Sequence, residues 1–207
     1  MPYAIQDLVI RHVDPVDTAQ ITDLLAASMG DGPVARWLAP DGGVRRYYAT
    51  AYFEIFAEHA ARYGEVYASV DEAGFMSGVA LWFPFTSLIP GPDDYDRRLK
   101  EVSGSSFDRV RELDAALEAH HPMLPHHYLA FLAVHPHRQN RGIGSALLDR
   151  HHARLDAARL PAYLEANDPR NRDLYLRHGY SCREEIRLSD GPPLWPMWRE
   201  PRDLTQR

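Results

Sequence analysis

The sequence predicts an α/β fold built on a mixed sheet with flanking helices, and three observations carry that expectation. "YLAFLAV", a glycine turn, a helical repeat and "YLEAN" succeed one another as a strand–helix–strand unit. Upstream, two β-branched and aromatic runs meet at Asp71-Glu72-Ala73-Gly74, the pattern of an antiparallel hairpin. A strand followed by a helix opens the chain, and 207 residues suit one domain, 1–207, better than two.

Taken in order, "LVIRHVDPVD" reads as a strand running into Asp14-Pro15, and Ile21, Leu24, Leu25 and Met29 then recur at helical spacing. In "VRRYYATAYFEIFAEHAARYG", Tyr48, Tyr52, Ile55, Phe56 and His59 fall on one helical face before Gly64 ends the helix. Core packing is the first reading of that stripe and substrate lining the second. After the hairpin, a Pro/Gly loop leads into "DRRLKEVSGSSFDRVRELDAALEAHH", one or two helices with charged, solvated faces.

"HYLAFLAV" reads as a buried strand, and the helix after the glycines keeps Leu147, Leu148, His151 and Leu155 together. A short helix, "RNRDLYLRHGY", closes at Gly179. Two final strands, around "CREEIRLSD" and "LWPMWREP", join at Gly191-Pro192-Pro193, and Pro196 makes the last an edge or an interrupted strand.

A hydrophobic share of 45%, with 11% aromatic residues, marks a folded chain. The formal charge of -6, without a basic run, argues against nucleic acid and favours cationic small molecules over anionic ones. The single Cys182 and the start "MPYAIQDLVI", which lacks a secretory pattern, point to the cytoplasm. No stretch approaches the roughly 18 apolar residues of a membrane span.

"QNRGIGSALL" is shaped to hold phosphate: glycines free the backbone N–H groups to point inward, and a helix N-terminus comes next. A dinucleotide site is one reading, with Gly142 and Gly144 as G-x-G and Glu165 at the end of the next strand. Against it, Leu147 occupies the third-glycine position and "HPHRQNR" separates strand from glycines. The other reading is Gln139-x-x-Gly142-x-Gly144 after a strand ending in Val134, which resembles the coenzyme A pyrophosphate loop of the GNAT (Gcn5-related N-acetyltransferase) superfamily. "LEANDPRNRDLYLRHGY" resembles that family's second block, with Tyr180 where phenylalanine is common. "YLAFLAVHPHRQNRGIGSALL", "LPAYLEANDPRNRDLY" and "GPPLW" are similar to the puromycin N-acetyltransferase-like branch.

The resemblance implies a mainly antiparallel sheet splayed between its fourth and fifth strands, with an acyl-CoA-binding half at about 126–182. It implies that main-chain atoms of Leu132, Ala133 and Val134 receive the pantetheine arm. The pyrophosphate falls to the loop Gln139, Asn140, Arg141, Gly142, Ile143, Gly144 and Ser145, with Arg138 or Arg141 adding charge. Asn171 matches an asparagine that holds the coenzyme near its thiol, while Asp168 stands where the family's more usual asparagine would be.

Tyr175 occupies the general-acid position, and its alternative is a packed aromatic; Glu165 ends a strand where some members carry the base. His126, His127 and Tyr128 are rivals for that role. The implied activity is direct transfer from acetyl-CoA to a primary amine, of a small molecule such as an antibiotic-like or aminonucleoside amine. A protein lysine or N-terminus, and a non-catalytic acyl-CoA sensor, are the alternatives. Trp37, Tyr47, Tyr48, Trp82 and Phe83 are candidates to line an aromatic acceptor pocket, and homodimers are frequent in the family.

Eleven histidines raise the question of a metal, but no i, i+4 pair with a carboxylate forms a metalloprotease signature, so none is expected. Covalent catalysis lacks support, because Cys182 has no evident paired base and no serine stands in G-x-S-x-G.

Overall fold

The computed structural model describes residues 9–13 and 18–203. Leu8 and the Asp14-Pro15 pair expected after the first strand lie outside the described residues. The chain runs β1 (Val9–His12), α1 (Thr18–Met29), α2 (Pro33–Leu38), α3 (Gly42–Tyr63), β2 (Glu65–Val70), β3 (Met76–Phe85), α4 (Tyr95–Ser103), α5 (Phe107–His120) and β4 (His126–Val134). It continues with α6 (Ile143–Ala158), β5 (Ala162–Ala166), α7 (Pro169–Arg177), β6 (Ser181–Cys182), β7 (Ile186–Arg187) and β8 (Pro193–Arg199). Among the described residues, no helix is long and apolar enough to cross a membrane.

The strands order as β1-β2-β3-β4-β5-β8-β6, with β7 on β8, and every pairing is antiparallel except β4–β5. That parallel pair is joined only at His127–Ala162 and Tyr128–Tyr163, so the two strands splay beyond Tyr128. On its other side β4 stays paired with β3 as far as Val134, with a bulge at Ala130 where Leu81 faces Phe131 and Trp82 faces Leu129. An extra residue in one strand increases the local twist and re-aims the side chains beyond it.

Strand alternation divides the core. Val79, Leu81 and Phe83 of β3 face α1 and α3, while Ala80 and Trp82 face α6. Coverage on both faces explains why β3 reads as an unbroken apolar run. Gly78 sets how closely α6 sits: a Cβ there would lie 2.6 Å from Ile143 Cγ2 and 3.2 Å from Leu147 Cδ1.

Two expectations need correction. α3 is buried on more than the one predicted stripe, because Ala49, Phe53, Ala57 and Ala60 pack on the sheet while Tyr48 and Ile55 meet α4 and α5. β8 is an interior strand rather than an edge. It lies between β5 and β6, with Pro196 opposite Glu165. The interruption falls on its other ladder, which passes from Met197 of the β6 pairing to Leu194 of the β7 pairing, around a proline that has no N–H to give.

Arg199 of β8 is 1% exposed and grips Asp156 of α6 through two contacts of 2.8 Å, while its Nε donates to the His178 carbonyl at 3.2 Å. Burial raises Asp156, but the Arg199 bonds and the Arg202 N–H outweigh it and hold the carboxyl below its ordinary range. This pair ties β8 to the two helices that flank the splay.

Candidate active site

A groove of about 490 Å3 occupies the splay, between β4, the start of α6 and α7. Its wall includes Leu132, Ala133, Val134, Gln139, Asn140, Gly142, Ile143, Gly144, Ser145, Asn171 and Tyr175, so the residues expected to bind coenzyme A come together there, Arg141 excepted. Arg141 is exposed in the same loop. The His135 N–H donates to Ser77 across the β3 side, so by alternation the main chain of Ala133 also faces β3, and that of Leu132 and Val134 faces the opening. The Val134 carbonyl accepts from Ser28 Oγ at 3.1 Å and Gln139 Nε2 at 3.2 Å.

Gly142 enters α6 at φ 80°, with nothing within 4 Å of an added Cβ, so backbone conformation and not crowding demands glycine. The Ala146 N–H is the first to close a helical bond, to Gly142, which leaves the N–H groups of Ile143, Gly144 and Ser145 without intrahelical acceptors. A Cβ on Gly144 would meet Val134, Leu132 and Leu174 at no closer than 3.8 Å. The protein alone therefore has room for a side chain there, and what a Cβ would fill is the groove. The basic lining comes from Arg170 and Arg177, not from Arg138 or Arg141. These α7 residues were missed, although their spacing of two helical turns on one face was readable.

Asp168 caps α7 by accepting the Asn171 N–H at 2.9 Å, and it also accepts from Asn171 Nδ2 at 2.6 Å. That bond fixes the Asn171 side chain against the groove.

A second cavity, of about 550 Å3, lies across Tyr175 from the groove. Tyr175 and Asn171 line both spaces. Tyr175 is 7% exposed and burial raises its phenol, so the hydroxyl keeps its proton at neutral pH and can give it away only to a strong base. Glu165 also lines the cavity; its Oε2 accepts from Tyr128 Oη at 2.8 Å, and its buried Oε1 has no protein partner among the described residues. Burial pushes Glu165 up to about 7, with the Tyr128 and Tyr163 hydroxyls pulling the other way.

Among the rivals to Glu165, Tyr128 is its hydrogen-bond donor. His126 stacks on Phe85 at 5.7 Å. His127 bonds His151 of α6 at 3.1 Å, on the opposite face of the sheet from Tyr128. Of the five aromatic residues proposed for an acceptor pocket, Tyr48 alone lines this cavity: Trp37, Trp82 and Phe83 are core and Tyr47 is 66% exposed. Tyr52 and Phe56 line it as well, so three of the α3 stripe face the cavity.

The fold gathers two donor groups that sequence spacing hid: Glu65 with His127 and His151, and Asp149 with His152 and His178. Protein contacts already engage them. Glu65 pairs with Arg154, His127 with His151, His152 with Tyr180 and His178 with Asp149.

A sheet opened beside a helix N-terminus adjoins, past a buried tyrosine, a cavity holding a raised carboxylate, an arrangement that suits acyl transfer. Residues 109–182 match the acetyltransferase (GNAT) domain family. The chain is also similar to a Corynebacterium glutamicum structure described as histone acetyltransferase HPA2 and related acetyltransferase, at 28% identity and TM-score 0.74, over 96% of this chain and 99% of that one. These similarities support the GNAT superfamily of N-acetyltransferases, whose domain the chain matches over residues 109–182. Two remoter structures share the fold: arylalkylamine N-acetyltransferase 2 from Aedes aegypti (11% identity, TM-score 0.67, covering 94% and 99%) and Drosophila melanogaster polyamine N-acetyltransferase (16%, 0.64, 94% and 100%).

Proposed function

We propose that the protein, as one domain over 1–207, transfers an acetyl group from acetyl-CoA to a primary amine of a small molecule. The observation that carries this reading is the position of Tyr175 in the walls of both the groove and the second cavity. When bound, acetyl-CoA supplies the thioester carbonyl that the amine attacks. The open N–H groups of Ile143, Gly144 and Ser145, with Arg170 and Arg177, hold its pyrophosphate. The main chain of Leu132 and Val134 lines up its pantetheine arm.

Glu165 accepts a proton from the acceptor's ammonium, directly or through water, so that nitrogen can attack. As the C–N bond forms and the C–S bond breaks, Tyr175 gives its proton to the departing sulfur and is reprotonated from solvent. No acetyl-enzyme forms. His126 and His127 serve packing in this scheme, and Tyr128 orients Glu165.

A protein lysine or N-terminus as acceptor is the second reading, supported by the name of the 28% identical relative. Thiol release from acetyl-CoA, assayed with a panel of small amines that includes puromycin, separates the two. Amine-dependent release supports the small-molecule reading; release only with protein substrates moves the acceptor, and tight acetyl-CoA binding without any turnover makes the chain a sensor.

A further inference from the structure

The cavity that holds Glu165 has a charge pattern that transfer to a single amine leaves unused. Three carboxylates line it: Glu165 from the sheet, and Asp114 with Glu118 from α5. No lysine or arginine does so among the described residues, and His121 on the same wall is pushed down to about 4 by burial and by His126, hence neutral. The neighbouring groove shows the reverse, with Arg170 and Arg177 against Asp168. The two spaces are built for ligands of opposite charge.

Asp114 and Glu118 lie one helical turn apart, where like charges repel unless a cation bridges them. Burial, and after it the charges of Asp96 and Glu118, raise Asp114, while Tyr95 Oη donates to it at 3.0 Å. Arg111, which also acts on Asp114, pairs with Asp96 at 3.0 Å. Beside Asp114 stands Tyr48, 2% exposed, lining the cavity with a hydroxyl that has no hydrogen-bond partner among the described residues. A buried, unpartnered hydroxyl next to a carboxylate pair is an incomplete polar shell. Tyr52 lines the same cavity as Asp114 and Glu165 and is tilted on Phe56 at 4.9 Å.

We propose that the acceptor is dibasic: one amine is acetylated at Glu165, while a second cationic group sits at Asp114, Glu118 and Tyr48 Oη, with Tyr52 and Phe56 flanking an apolar or aromatic spacer. This inference rests on the acetyl-transfer reading of the same cavity. A monoamine satisfies one acidic station and leaves the other without a counter-ion.

The test compares kcat/KM for matched pairs: putrescine with butylamine, cadaverine with pentylamine, and m-xylylenediamine with benzylamine. In the wild type at least one diamine exceeds its partner by about tenfold or more, through KM, as expected for one added charged hydrogen bond. Asp114→Asn, which still accepts the Tyr95 hydroxyl, reduces that preference to about twofold. Tyr48→Phe reduces it in part, and Asp114→Glu restores some of it. A merely structural Asp114 would depress both members of each pair together. Equal efficiency within every pair in the wild type, with acetylation intact, overturns the proposal whether or not the variants fold. No acetylation of any amine, with acetyl-CoA still bound, overturns the underlying reading and this one with it.

Discussion

Glu165 combines two consequences of one placement. Its carboxyl is pushed up to about 7 because burial penalises the charged form, so it can take a proton from an ammonium near neutrality. In the unfolded chain the same group titrates near 4.5, its ordinary value. A carboxyl raised on folding favours the folded state below the unfolded value, and that contribution is lost as pH rises from about 4.5 through about 7. Glu165→Gln is therefore expected to lower kcat/KM by about 100-fold or more. The same variant stabilises the fold at pH 8 by on the order of 3 kcal/mol, read as a higher Tm, and leaves Tm nearly unchanged at pH 4. Wild-type kcat/KM rises with pH through about 7. A variant equally active, or destabilised at both pH values, contradicts this.

Glu165 and Tyr175 were legible because they sit in a motif-bearing segment whose spacing is local. Asp114 was not legible as a site residue, and Tyr128 and Tyr48 were read only as a rival base and a candidate pocket aromatic, without their contacts. Their meaning comes from contacts across the fold, such as the Tyr128–Glu165 bond between two strands that pair for two residues only. His127 likewise looked like a rival base until strand alternation put it against α6.

At the scale of elements, the approach of α6 to β3 aims the loop proposed to hold the pyrophosphate. Gly78→Ala forces a Cβ to 2.6 Å from Ile143, which destabilises by about 1–3 kcal/mol and shifts the N–H groups behind Gly142. Thermal melts and acetyl-CoA titration should show both losses together. Gly144→Ala, with no contact under 3.8 Å, should melt like the wild type and bind acetyl-CoA less tightly; normal binding would mean the groove is not the pyrophosphate site. Asp156→Ala leaves buried Arg199 without its partner and should cost about 3–5 kcal/mol, seen in urea unfolding.

Most elements were readable because their periods are local: the hairpin at Asp71–Gly74, the glycine stop of α7 and the four buried positions of α6 match the structure. The burial of α3 between two clusters was not, since one sequence can serve two partners without a clean stripe. Pro196 predicted an edge or an interrupted strand because it lacks an N–H; the structure keeps the strand interior and interrupts its outer ladder there.

Across the whole molecule, the proposed function draws on two oppositely charged spaces that share one wall. No single segment contains that arrangement: the groove draws on β4, α6 and α7, the cavity on α3, α5 and β5, and Tyr175 borders both. A net charge of -6 hid the basic groove within an acidic chain, as a sum must. The most direct test is single-turnover thiol release by Tyr175→Phe with acetyl-CoA and an accepted amine, alongside the calorimetric Kd for acetyl-CoA. If Tyr175 donates the proton, the Kd stays within about threefold of wild type and the transfer rate falls by about 100-fold or more. Transfer at the wild-type rate with that Kd unchanged would reduce Tyr175 to a wall and remove the proton route on which the mechanism depends.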